Sequence, residues 1–194
     1  MTPGRYLIAV VSGLRLLVGV LAGGAVIGSL VVPGGTAAPA SGALSPAAPT
    51  RLSLPTLQVT APVVPIPLAA DQSLDPPRDY HQVGWWDASA MPGASQGQTV
   101  ITGHTLHTGG ASMNELGRLA PGDLVDVATE SGTMRYAVRQ TKVLSRARLA
   151  ERSLALFGQD RGRGRLVLIT CTDWNGSFYE SNVVVLAKPL GSPA

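Results

Sequence analysis

The chain has a single cysteine, Cys171, among its 194 residues. No disulfide can close within it, so any role of that thiol beyond packing is nucleophilic, ligating or intermolecular. Histidine is scarce too: His81, His104 and His107 are the only imidazoles available as bases or ligands. Charged residues make up only 14% of the chain, and the formal net charge is +3. Basic residues are scattered, except in Arg161-Gly-Arg-Gly-Arg165. That tract reads as a solvated loop or, alternatively, as a short RGG-like nucleic-acid segment. The apolar N-terminal segment outweighs the second reading, so no nucleic-acid partner is expected.

Against these absences stand 23 glycines, 15 prolines and a 45% hydrophobic content. Leu16 to Val32 is uncharged throughout, with Arg5 and Arg15 before it and no further charge until Arg51. Its 17 residues lie at the lower limit for spanning a bilayer, and the flanking charges place the N-terminus in the cytoplasm. Residues 1–32 are therefore expected to form a single-pass membrane anchor. A cleaved signal peptide, with Thr36-Ala-Ala38 as a small-residue site, remains the alternative. Residues 33–49 are almost entirely Pro, Gly, Ala, Ser and Thr, too poor in apolar surface to offset ordering entropy, and are expected to form a flexible linker. One globular domain should occupy 50–194 outside the cytoplasm.

Within that domain Leu166, Val167, Leu168 and Ile169 form a continuous apolar run, as in a central strand buried on both faces. The run turns polar at Thr170, Cys171, Thr172 and Asp173, which places the thiol at the mouth of a strand. Val100 and Ile101 lead in the same way through Gly103 to His104. A thiol is only slightly ionised at neutral pH, and a nearby imidazole takes its proton or stabilises the thiolate. Two strands presenting His104 and Cys171 at one end would build such a pair. A packing cysteine and an idle loop histidine are the bland alternatives. His104, His107, Cys171 and Asp173 also supply zinc-type ligands, but their spacing matches no closed structural site, so no metal is expected. Trp85 and Trp86 read as core residues. Ser112-Met-Asn-Glu115 has the form of a capping box, predicting a short helix over 112–119. Another short helix is expected within 149–157. Strands outnumber helices and turn signals are frequent, so the domain reads as an all-β barrel with small helical insertions.

Several blocks together resemble the sortases, the cysteine transpeptidases of Gram-positive cell surfaces. They are Thr102-Gly-His104 and Leu168-Ile-Thr-Cys171, flanked by Arg51 to Val59, Val83-Gly-Trp-Trp86, Pro92-Gly93, Leu119 to Val127 and Asn182 to Ala187. The pattern is most similar to the short class E/F sortases, with class F the closer. The resemblance implies an eight-stranded β-barrel and two-step acyl transfer without a cofactor. Cys171 would attack a Leu-Pro-x-Thr-Gly-like sorting signal of a secreted protein, and an amine such as a cell-wall precursor would resolve the thioester. His104 would serve as the acid and base. Related sequences carry Tyr-Arg-x-Asn before the closing strand, whereas this chain has Tyr179-Glu-Ser-Asn182, so Glu180 occupies the position of an oxyanion-stabilising arginine. Thr170 and Arg165 join Glu180 as supporting candidates. Glu180 also motivates the alternative of a catalytically impaired sortase-fold protein that binds a peptide or partner.

Overall fold

The computed structural model describes residues 44–160 and 163–193, together with a backbone bridge at Tyr6–Leu7 that pairs with Ser73–Leu74. Apart from Tyr6–Leu7, the expected membrane anchor at 1–32 lies outside the described residues, as does most of the 33–49 linker. Among the described residues no helix is long and apolar enough to cross a membrane.

Eight strands close a barrel: β1 (Pro49–Leu54), β2 (Val59–Ile66), β3 (Val83–Trp86), β4 (Gly97–Gly103), β5 (Leu124–Thr129), β6 (Gly132–Ser145), β7 (Arg163–Trp174) and β8 (Tyr179–Gly191). Their order around the barrel is β8-β6-β5-β1-β2-β3-β4-β7, with β7 returning to pair with β8. The β2–β3 and β4–β7 pairs are parallel and the others antiparallel. The β4–β7 pair decides the site, because parallel neighbours end on the same side of the sheet.

Two-residue alternation divides the buried side chains into two cores. One draws on all eight strands and fills the barrel, including Leu52, Val63, Trp85, Ile101, Val127, Tyr136, Leu168 and Val185. The other lies on the outer face and joins Trp86, Val100, Val167, Ile169, Cys171 and Val184 to Leu149, Leu156 and Phe157. The last three come from α1 (Arg146–Glu151) and α2 (Ser153–Phe157), in the connection between β6 and β7. Since β7 is covered on both faces, its sequence is a continuous apolar run instead of an alternating one. Trp85 and Trp86 are both buried, one in each core. Contacts with the barrel core reach back to Leu44.

The region 112–119 departs from expectation. It holds turns and a single 3₁₀ turn at Leu116–Arg118. The Ser112 hydroxyl, read as a helix cap, donates instead to the carbonyl of His81. Asn114 organises the segment: its Oδ1 accepts from the Leu106 and Ala111 amides, and its Nδ2 donates to Leu106 O.

Candidate active site

Cys171 lies near the C-terminal end of β7 but not at its mouth, since the strand continues to Trp174 through pairing of Trp174 with Tyr179. Its relative exposure is 8%, in the outer core beside Ile169 and Val184. The thiol is thus buried within the strand, not at the strand mouth that the sequence suggests. The polar residues Thr172, half-buried, and Asp173, exposed, belong to the strand and do not mark its end. Asp173 takes a left-handed conformation, φ 61°, which interrupts the regular pleat before the β7–β8 turn.

β4 ends at Gly103, immediately before His104, as the sequence indicates. The parallel register pairs Thr102 with Ile169, so continuing it sets His104 level with Cys171. Two side chains fasten the strand ends together. Thr170 Oγ1 donates to Gly103 O at 2.8 Å, and the Thr105 and Thr170 hydroxyls are 2.7 Å apart. With one proton of Thr170 committed to the carbonyl, Thr105 is the donor of the second bond. Thr170 thus ties the strand of the base to the strand of the thiol.

The His104 imidazole is positioned by the loop at 75–80. Its Nε2 is 2.7 Å from the carbonyl oxygen of Pro77. A carbonyl only accepts, so that nitrogen carries the proton and Nδ1 of the neutral ring is left as the basic one.

Asn182 faces Cys171 directly across the β7–β8 pair. It is 4% exposed, and its Nδ2 lies 3.9 Å from Cys171 Sγ and 3.4 Å from Thr170 O. Tyr179 packs against the same core. Burial raises its pKa, negative charge on Cys171 raises it further, and the backbone of His107 partly opposes the shift. The hydroxyl therefore keeps its proton at neutral pH, and it is buried with no well-formed hydrogen bond among the described residues. Two neutral donors, an amide and a phenol, thus lie in the neighbourhood of the sulfur.

Glu180 is exposed and accepts a hydrogen bond from Asn175 Nδ2 at 2.8 Å. Asn175 also shapes the turn, accepting from the Ser177 and Phe178 amides. Arg165 is not brought to the thiol. It lies six residues back along β7, roughly 20 Å at ~3.3 Å per residue, where it donates to Gln98 Oε1 and to Ala155 O. His107, outside the proposed pair, stacks on Trp174 with ring centroids 4.6 Å apart and planes 8° from parallel. Trp174 in turn meets Tyr179 at 5.0 Å. Among the described residues no three of His, Cys, Asp and Glu gather where a metal ion could be held.

Asn182, Tyr179 and the His107–Trp174 stack were not read as site residues from sequence. The available signal was Asn175-Gly176, a turn dipeptide whose position fixes which residue of β8 faces Cys171.

A model of the Sortase domain family matches residues 52–190 of the chain. None of the curated proteins matches it. Sortase A from Corynebacterium diphtheriae is 20% identical with a TM-score of 0.59, over 77% of this chain and 63% of that one. Sortase E1 from Streptomyces coelicolor, solved with a tripeptide in its active site, is 22% identical with a TM-score of 0.57, over 74% and 88% of the two chains. Sortase C-1 from Actinomyces oris is 23% identical with a TM-score of 0.55, over 74% and 73%. The chain therefore spans less than two thirds of the Corynebacterium protein, and at these identities the likeness is one of fold.

Proposed function

The chain belongs to the sortase family, and on that premise we propose that it is a membrane-anchored, extracytoplasmic cysteine transpeptidase. Its class is E/F-like, nearer to F, and it acts on secreted proteins bearing a Leu-Pro-x-Thr-Gly-like sorting signal. The observation that carries this reading is the parallel β4–β7 register, which brings position 104 level with Cys171.

The chemistry follows from the donors and acceptors around the sulfur. Nδ1 of His104 takes the thiol proton, and Sγ attacks the scissile carbonyl carbon. The carbonyl oxygen becomes an oxyanion, which accepts hydrogen bonds from Asn182 Nδ2 and Tyr179 Oη. When the intermediate collapses, the C–N bond breaks, the departing amine takes the proton from His104, and a thioester to Cys171 remains. An incoming amine then attacks that thioester, giving its proton to His104 as the new amide forms and the thiol is restored. Asn182 and Tyr179 supply part of what an arginine at position 180 would have supplied, without its positive charge.

The test is incubation of the full-length protein with a Leu-Pro-x-Thr-Gly peptide, with and without an amine such as triglycine. Product carrying the amine supports transpeptidation. The second reading, a sortase-fold protein that binds a peptide without turnover, draws on Glu180, whose carboxylate stands where a cation would assist. Saturable peptide binding with neither cleavage nor transfer would favour it.

A further inference from the structure

At the other end of β7 from Cys171 is a shallow depression of about 370 Å³ on the outer face of the barrel, lined by Arg139, Gln140, Arg165, Leu186, Ala187 and Lys188. Three cations converge on it, and none has a carboxylate partner among the described residues. The arrangement is costly. The β7–β8 register ends at Ala187 opposite Leu166, and Lys188 and Arg165, the next residues along the two strands, both line the depression. Like charges close together on neighbouring strands destabilise the pair.

The sequence and its folding hold this charge in place. The β6–β8 register shifts between Leu186 and Ala187, which leaves Arg139 as the extra residue of a bulge between Val138 and Gln140. Bulges re-aim side chains, and here Arg139 and Gln140 both line the depression. Arg165 is fixed by neutral acceptors, with Nε to Gln98 Oε1 and Nη2 to Ala155 O, each at 2.6 Å. Gln98 is itself fully buried and anchored through Nε2 to Gly158 O at 2.7 Å. Neutral partners orient the guanidinium without cancelling its charge, and among the described residues no hydrogen bond engages Nη1. Burial lowers the pKa of Arg165, the direction expected for a cation losing water without gaining an anion.

We propose that this depression is a binding site for a phosphate-bearing group, held by Arg139, Arg165 and Lys188. A phosphate carries enough charge to balance several cations, and its oxygens suit the planar arginine fork. The site lies apart from the thiol and does not depend on the transpeptidase reading. It also gives a role to the last arginine of the Arg161–Arg165 tract.

The experiment is calorimetric titration of the full-length protein with inorganic phosphate, with glycerol 3-phosphate, and with dihexanoyl phosphatidylglycerol below its micelle concentration. We expect saturable binding that weakens as sodium chloride is raised, and at least a tenfold loss of affinity in the double variant Arg139→Gln/Lys188→Gln. Both positions are exposed, and an unchanged melting transition would verify that the variant folds. Binding of the two free phosphates alone would identify a soluble ligand, and tighter binding of the lipid would identify a headgroup. Either result supports the site. No saturable binding of any of the three, or equal binding by the double variant, would overturn it.

Discussion

His104 is oriented by the Pro77 carbonyl on Nε2, which leaves Nδ1 as the base. His104→Ala is therefore expected to remove most of the turnover together with the bell-shaped pH dependence of kcat/KM. A bell-shaped profile retained in that variant would remove His104 from the chemistry. In the proposed mechanism Asn182, whose Nδ2 lies 3.9 Å from Cys171 Sγ, also stabilises the oxyanion. Asn182→Asp, which keeps the shape but sets a carboxylate beside the thiolate, should move the pH midpoint of iodoacetamide alkylation upward and lower kcat/KM by about 10²-fold, as for a lost oxyanion donor. An unchanged alkylation profile would contradict the contact. Glu180 is held by Asn175 at the surface, and Glu180→Arg should raise turnover on sorting peptides by at least tenfold. A slower variant would show that the two neutral donors already do the work. His107 is a different case. In the sequence it stood only among possible zinc-type ligands, whereas its stacking on Trp174 joins the loop after β4 to the end of β7.

At the scale of elements, Thr170 has the largest structural consequence for its size. It is 1% exposed and bonds both Gly103 O and Thr105. Thr170→Val keeps the shape but removes the side-chain hydrogen bonds to Gly103 O and Thr105, so thermal unfolding should show a loss of about 1 kcal/mol. The strand pair itself was legible in the sequence. Continuous apolar runs at 100–101 and 166–169 mark strands covered on both faces, and both are found there. The end of β7 was not legible, because Thr172 and Asp173 look like loop residues until the turn at 175–178 extends the pairing to Trp174. Nor was the segment at 112–119. Its local signal, serine followed by glutamate three residues on, was overridden by a tertiary acceptor, the His81 carbonyl. A side chain that finds a partner far away in sequence cannot be read from its neighbours. The same reason hid Asn182, whose place beside the sulfur depends on a register fixed seven residues away at Asn175.

At the scale of the whole molecule, the barrel does two things. Its interior core fills the barrel, and its outer core groups Cys171 with residues of α1 and α2 from the β6–β7 connection. Cys171 is only 8% exposed there, so under the proposed function water has little access to the sulfur. The all-β class and the eight strands follow from alternation and turn signals together with the family resemblance. The division into two cores becomes visible only with the closed sheet. The central claim is that Cys171 carries the acyl group, and the most direct measurement is intact mass followed by peptide mapping of the full-length protein after brief exposure to a Leu-Pro-x-Thr-Gly peptide without amine. The account predicts a thioester adduct of the Leu-Pro-x-Thr fragment mapped to Cys171, absent from Cys171→Ala. Cleavage of the peptide by folded Cys171→Ala, or an adduct on any other residue, would contradict it.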